Sequence, residues 1–329
     1  MGKDIEMKKL ISIVAPMYNE EMLAHEYCKE TLKIMRELHD MYDFELLLVN
    51  DGSKDRTYAI MLEEQRMHPK EISTICLSRN FGLEGAVNAG IRKASGDAVV
   101  VMDADLQDPP RVIPEMIKKW ENGADIVVGS RISRSSDGFW KKFGANSYYK
   151  VLDWFSGKLK LEKSAANFRL LSRNAIDHVL ELQEANSVFR VVVPYVGMKT
   201  DIVGYDRDKR FAGKTKYSLK SMVPYALDSI TGISVEPLRK IVCFLPIMAV
   251  LFCIFLFGAI CSIGMWKAIC LIGMMMSVFS FFFFLSLTIM AEYIAQIMIE
   301  VKGRPMSIIY RYQPCENARN KGLIREEIE

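Results

Sequence analysis

The chain has 329 residues, half of them hydrophobic and a quarter charged. That allows one large or two ordinary domains with a sizeable core, and excludes disordered, collagen-like and low-complexity classes. Lys and Arg number 43 against 40 Asp and Glu, a formal net charge of +3, too close to balance for a nucleic-acid binder. The seven cysteines include no Cys-x-x-Cys pair, so a reducing compartment fits better than a disulfide framework or a structural zinc site. The opening MGKDIEMKK leads into no signal-peptide core.

Short apolar runs at residues 10–16, 44–50, 72–78, 98–102 and 126–129 predict strands. Residues 20–39 have helical spacing, with Leu23, Tyr27, Ile34 and Leu38 on one face. Residues 110–120 repeat the pattern through Val112, Ile113, Met116 and Ile117, with Asp108 as the expected N-cap and a Pro in the first turn. Strand alternating with helix predicts an α/β domain over residues 1–215, its sheet largely parallel and covered on both faces. Residues 216–240 form a mixed, helix-prone linker that lies along the membrane surface or packs on the soluble domain.

The stretches 241–264 and 268–291 carry no charged residue, and each is long enough to cross a hydrocarbon core of about 30 Å. Met265-Trp266-Lys267 between them predicts a tight helical hairpin within residues 241–300. Arg239, Lys240, Lys302, Arg304 and Arg311 flank the pair, against Lys267 alone between them. The positive-inside rule then predicts a multi-pass protein of the cell (inner) membrane with the first 240 residues and the tail, 301–329, cytoplasmic. The apolar helices would also offer a surface for a homo-oligomer.

In open α/β sheets ligands bind beyond the carboxyl ends of the strands. Here those ends read Tyr18-Asn19-Glu20-Glu21, Asp51-Gly52-Ser53, Arg79-Asn80, Asp103-Ala104-Asp105-Leu106-Gln107 and Ser130-Arg131. Any one alone could be a turn or a cap; five in succession predict one shared polar site. Asp103 and Asp105 leave a buried run at its carboxyl end, and a spacing of two in an extended chain would set both, and then Gln107, on one side. Such oxygen ligands suit Mg²⁺ or Mn²⁺ bridging to phosphates. A second Asp-x-Asp, Asp206-Arg207-Asp208, lies among basic residues and reads as an ion-paired surface loop. Ala212-Gly213-Lys214-Thr215 lacks the earlier glycine of a P-loop, no Gly-x-Gly-x-x-Gly occurs, and the four histidines have no ligand spacing. Arg169, Arg210, Lys214 and Lys216 read either as solvated cations near anionic lipid or as a phosphate clamp at the bilayer edge.

Taken together, these residues resemble glycosyltransferase family 2, in its polyprenyl-phosphate glycosyltransferase group. The resemblance rests on Ala15-Pro16-Met17-Tyr18-Asn19-Glu20-Glu21, Val49-Asn50-Asp51-Gly52-Ser53, Leu77-Ser78-Arg79-Asn80-Phe81-Gly82 and Met102-Asp103-Ala104-Asp105-Leu106-Gln107-Asp108-Pro109-Pro110. It continues through Phe168-Arg169-Leu170-Leu171-Ser172, Arg210-Phe211-Ala212-Gly213-Lys214-Thr215-Lys216-Tyr217 and the paired apolar helices. It implies a GT-A fold with a two-helix transmembrane hairpin. The implied reaction is an inverting, metal-dependent transfer of a hexose from a nucleotide-diphosphate sugar to polyprenyl (undecaprenyl) phosphate at the bilayer. UDP-glucose is the first expectation for the donor; GDP-mannose, UDP-galactose or a UDP-N-acetylhexosamine are alternatives, and a non-catalytic membrane scaffold is the rival of another class.

By the family's pattern Pro16, Tyr18, Glu20 and Asp51, with Asp103, would hold the nucleotide. Asp103, Asp105 and Gln107 would surround Mg²⁺ or Mn²⁺. Arg131, Arg169, Arg210, Lys214 and Lys216 would meet the phosphates, with Asp103, Asp105, Arg131 and Arg169 at the reacting centre. Two departures are visible: Asn50 where the family commonly has Asp, and Asn167 where many bacterial members carry one.

Overall fold

The structure is a computed structural model and describes residues 8–132, 165–182, 188–208, 238–239, 241–261 and 264–321. Arg210, Lys214, Lys216 and nearly all of the expected linker fall outside them. The described residues form two compact units. One holds those up to residue 208 together with 305–321; the other holds those between 238 and 304.

The first unit is built on a mixed eight-stranded sheet. In chain order its elements are β1 (Lys9–Met17), α1 (Ala24–Glu37), β2 (Tyr42–Asn50), α2 (Thr57–Met67), β3 (Ile72–Leu77), α3 (Gly82–Lys93) and β4 (Ala98–Val101). Then come α4 (Ile113–Glu121), β5 (Ile126–Arg131), β6 (Ala165–Ser172), α5 (Arg173–Glu181), α6 (Phe189–Val196) and β7 (Thr200–Tyr205). Further along the chain follow α7 (Phe244–Cys261), α8 (Met265–Lys302) and β8 (Ile309–Gln313). The strand order is β7-β5-β6-β4-β1-β2-β3-β8.

All five expected strands form, and the sheet is the α/β arrangement expected of a GT-A domain. β1 pairs in parallel with β2 and β4, β2 with β3, and β5 with β7. β6 runs antiparallel to both β4 and β5, so β5 regains the direction of β4. Their burial on both faces explains the continuous apolar runs. On one face Ile11, Ile13, Leu46 and Leu48 pack with α1, α2 and α4; on the other Val14, Leu47, Val99 and Val101 pack with α3, α5 and α6. α1 turns its buried stripe through Tyr27, Cys28, Thr31 and Met35, so Ile34 and Leu38 lie at its margin.

Three expectations change. Asp108 does not cap α4: the helix begins at Ile113 after a single 3₁₀ turn, with no side-chain cap, and Asp108 is buried and bonded elsewhere. The segment after Pro305, for which the sequence predicts no element, supplies β8, which covers the β3 edge with Thr74 opposite Gln313 and Ile75 opposite Tyr312. An open strand edge gains a partner for its backbone groups this way, a pairing that local composition does not announce. Met265-Trp266-Lys267 is no connecting loop but the first turn of α8, which starts directly after Gly264 at φ +103°.

In the second unit, Phe244 meets Phe282 at 5.3 Å between ring centroids and Phe252 meets Phe279 at 6.2 Å, so α7 and α8 pack antiparallel. Among the described residues one helix, Met265–Lys302, is long and apolar enough to cross a membrane; the apolar stretch Phe244–Gly258 is shorter. Phe281, Phe283 and Phe284 are each more than 60% exposed, a surface suited to lipid rather than water.

Candidate active site

Because β1 to β5 share one direction, their carboxyl ends meet at one edge of the sheet, as the sequence pattern required. The first two ends are stitched together. The Asn19 and Glu20 backbone N–H groups donate to Ser53 Oγ (3.0 Å) and Thr57 Oγ1 (2.8 Å), and Lys54 N–H donates back to Asn19 Oδ1 (2.8 Å). Asn19 adopts φ +51° to make that turn, a conformation Asn tolerates better than most residues. Pro16 sits inside β1 opposite Val49, while Tyr18 and Glu20 are half-buried at the strand mouth.

Asp51 is buried and accepts from the backbone N–H of Phe81 (2.7 Å) and Gly82 (3.0 Å), which ties the second strand end to the third. Burial pushes its carboxyl up to about 6, against the opposing pull of those two bonds and of Arg79. Gly52 is obligatory here: at φ +65°, a Cβ would come within 2.5 Å of the Arg79 and Asn80 backbone. Asn50, the departure from the family's Asp, donates from Nδ2 to Cys76 Sγ (3.3 Å) and accepts from Ser53 N–H at Oδ1 (3.1 Å). A carboxylate could make only the second bond.

At the fourth strand end the chain is not extended, so the expected alternation fails. β4 stops at Val101, Leu106 takes φ +56°, and Asp105 Oδ1 accepts from Gln107 N–H at 3.1 Å. A turn, not a pleat, gathers the acidic groups. Asp103 is nonetheless the focus. Burial raises its carboxyl to about 7, helped by Asp108 and Asp105 and opposed by Arg131 and Arg190. Its Oδ1 is buried with no hydrogen-bond partner among the described residues, as are Arg131 Nε and Arg190 Nε. Native interiors leave few such atoms unmade.

Arg131, at the fifth strand end, donates to Asp108 Oδ1 at 3.2 Å, and Tyr205 Oη on β7 donates to the same oxygen at 2.5 Å. Asp108 is thus a buried hub that locks β5 and β7 to the acidic turn. Arg111 clamps Asp208 through two bonds on the exposed side, as the ion-paired reading of that loop expected.

Arg169 lies on β6, 2% exposed, facing α6. Its guanidinium donates to the backbone carbonyls of Phe189 (3.5 Å) and Arg190 (3.2 Å). The described structure therefore gathers Asp103, Asp105, Arg131 and Asp51 at the strand ends, and uses Arg169 to hold the start of α6. Sequence reasoning missed Arg190, the single charge in the apolar run FRVVVPYV, and that isolation was the available signal.

No three His, Cys, Asp or Glu side chains converge as a ready-made metal cage among the described residues. Two carboxylates and an amide, with one buried oxygen lacking a partner, still fit a divalent ion that keeps waters and shares phosphate oxygens.

The model of "Glycosyl transferase family 2" matches residues 12–180. An uncharacterized glycosyltransferase of Bacillus subtilis, YkcC, is 37% identical over 94% of this chain and 95% of its own. The chain belongs to glycosyltransferase family 2. This glycosyltransferase is also 37% identical to the SfII prophage-derived bactoprenol glucosyl transferase of Shigella flexneri, over 91% of this chain and 97% of that one. The relatives thus include the polyprenyl-phosphate group that the motifs resemble. Among solved structures, glucosyl-3-phosphoglycerate synthase from Mycobacterium tuberculosis, in complex with Mn²⁺, UDP-glucose and phosphoglyceric acid, is 18% identical. It covers 68% of this chain and 78% of that one at a TM-score of 0.45, a likeness too distant to assign anything to this glycosyltransferase.

Proposed function

We propose that this enzyme transfers a hexose, with inversion, from a nucleotide-diphosphate sugar, UDP-glucose first, to polyprenyl (undecaprenyl) phosphate at the cytoplasmic face of the cell membrane. The observation that carries the reading is the buried Asp103 oxygen that has no partner among the described residues, set near the acids Asp105 and Asp108 and the cations Arg131 and Arg190. Such a site is complete only when it holds a cation together with anionic oxygens. The long apolar α8 and the relatives named for bactoprenol glucosylation support a lipid acceptor.

Asp103, Asp105 and Gln107 would hold Mg²⁺ or Mn²⁺, which would stabilise charge on the leaving nucleoside diphosphate. Asp51, Tyr18, Glu20 and Pro16 would receive the nucleoside, since the Asp51 carboxylate keeps acceptor capacity beyond its two backbone bonds. Arg131 would face the phosphates with Asp108 fixing its direction. Arg210, Lys214 and Lys216 remain proposed acceptor-phosphate ligands. A phosphate monoester has its second pKa at about 6, so it arrives already anionic. It then needs positioning rather than a general base, which is consistent with Asn at 167. We place both charge-free stretches, 241–264 and 268–291, across the bilayer, with both ends of the chain cytoplasmic.

The test is a screen of radiolabelled UDP- and GDP-sugars with undecaprenyl phosphate and the purified, detergent-solubilised protein. Label in the organic phase with UDP-glucose is expected; label with GDP-mannose instead would change the donor. No lipid-linked label with any donor would overturn the reading.

A further inference from the structure

α6 begins with Phe189 and Arg190, and Arg190 is its sole charged residue. Its backbone is held from two directions. Glu84, in the first turn of α3, accepts from Phe189 N–H at 2.8 Å, and Arg169 grips the carbonyls of Phe189 and Arg190 at 3.5 and 3.2 Å. Desolvation raises the Glu84 carboxyl, while the Phe189 N–H, Arg190 and Arg169 pull it back. A buried arginine and a largely desolvated acid that hold one backbone N–H and two carbonyls are an expensive way to start one short helix. What they fix is the direction of the Arg190 side chain.

That side chain makes little use of its donors. Arg190 Nη2 reaches Asn167 Oδ1 at 3.5 Å, at the outer limit of a hydrogen bond. Its Nε is buried with no partner among the described residues. β4 and β6 pair antiparallel with Val101, the last residue of β4, opposite Arg169; Asn167 lies two residues before Arg169 on β6, beyond the carboxyl end of β4 where the acidic turn begins. The charge of Arg190 is close enough to lower the Asp103 carboxyl. A half-buried guanidinium thus stands near the acidic turn and the Glu84 carboxylate, and its side-chain hydrogen bond among the described residues is to a neutral amide.

We propose that Arg190 binds a phosphoryl group at the reacting centre, and that Asn167 is the neutral partner that orients its guanidinium without neutralising it. An Asp at 167 would form a charge-assisted pair with Arg190 and compete with the phosphate for its donors. Glu84 and Arg169 are positioning residues that act through the α6 backbone. The inference rests on the transfer reading above. The phosphoryl group belongs either to the donor's diphosphate or to the acceptor's phosphate; the chemistry is shared, and the measurement separates them.

The experiment uses the full chain in detergent as wild type, Arg190→Ala, Arg190→Lys and Asn167→Asp. It measures UDP or GDP affinity with Mn²⁺ by calorimetry, kcat and KM for the donor and for undecaprenyl phosphate, and melting temperature. Arg190→Ala is expected to lower kcat/KM by about 100-fold, with partial recovery in Arg190→Lys. Asn167→Asp should lower it by about tenfold at an unchanged melting temperature, which a merely structural role for position 167 would not produce. Weakened nucleotide affinity in Arg190→Ala assigns the donor diphosphate; unchanged nucleotide affinity with a raised KM for undecaprenyl phosphate assigns the acceptor. Activity of Arg190→Ala within about threefold of wild type overturns the proposal. Should that variant fail to fold, Arg190→Gln carries the same test. If wild type labels no polyprenyl phosphate, the transfer reading falls, and Arg190 is judged on nucleotide affinity alone, an unchanged value then overturning it.

Discussion

Two buried acids stand toward opposite ends of the parallel strands, Glu45 within β2 and Asp103 past the end of β4, and they are treated in opposite ways. Glu45, near the start of β2, is fully buried, accepts from Ser12 Oγ (2.7 Å), Ser73 Oγ (2.8 Å) and Ser95 N–H (3.1 Å), and feels Arg173. Ser73 Oγ in turn accepts from Cys315 N–H at 2.9 Å, so the network also fastens the returning C-terminal segment. Asp103, just beyond the end of β4, has a buried oxygen with no partner among the described residues and two acidic neighbours. Burial raises both carboxyls; what differs is satisfaction. A fully bonded buried acid belongs to the architecture, whereas an incompletely bonded one among arginines is a place for something the chain itself does not supply.

The contrast breaks most sharply by substitution at the acidic turn. Asp105→Asn should lower turnover by about 10³-fold, since a metal held there would supply several kcal/mol to the transition state. Its melting temperature should stay at the wild-type value. Turnover close to wild type, or full activity in excess chelator, would remove the metal from Asp103 and Asp105.

At the opposite edge the effects exchange places. Glu45→Ala leaves two hydroxyls and a backbone N–H without their acceptor and should cost about 3 kcal/mol of stability. Denaturation followed by intrinsic fluorescence would report it, while activity per folded molecule should be unchanged. A large loss of kcat at full stability would mean that the two edges are not functionally distinct.

A pH titration sharpens the comparison at Asp51. Its folded carboxyl titrates at about 6, above its ordinary value of 3.8. The proton is therefore bound more tightly in the folded state: the favourable contribution is complete below 3.8 and is lost as pH rises through 6. Relative to Asp51→Asn, wild type should gain up to about 3 kcal/mol between pH 7 and pH 4. Nucleotide affinity should fall over the same interval as the acceptor is protonated. An affinity flat from pH 7 to pH 5 would take Asp51 out of nucleoside binding.

The smallest effect is expected at Asn50. Asn50→Asp removes the bond to Cys76 Sγ and adds a second buried carboxylate beside Asp51. It should cost about 1 kcal/mol at pH 7 and less at pH 5. A variant more stable than wild type at pH 7 would mean that the Asn50–Cys76 contact contributes nothing.

How much was legible follows from range. Five strands were readable because each is buried on both faces, which leaves an apolar run in the sequence itself; the strand ends were readable because polar residues follow each run at once. Pairing between distant segments left no such trace. β6 reads as an ordinary mixed stretch, and only its insertion between β4 and β5 makes it a strand with Arg169 buried. β8 lies more than 200 residues from its partner β3. Asp108 looked like a cap because local sequence favours one; burial against Arg131 and Tyr205 decided otherwise.

The sequence by itself determined the α/β class, the line of polar strand ends, the acidic residues that follow β4 and the charge-free stretches, because each depends on residues adjacent along the chain. The tertiary structure alone decided which groups are left incomplete. It satisfied Glu45 with serines from three separate segments, committed Arg169 to the carbonyls of α6, and brought Arg190 to the side of Asp103. Satisfaction of a buried polar atom depends on partners that converge in space from distant parts of the chain, and no local pattern encodes that convergence.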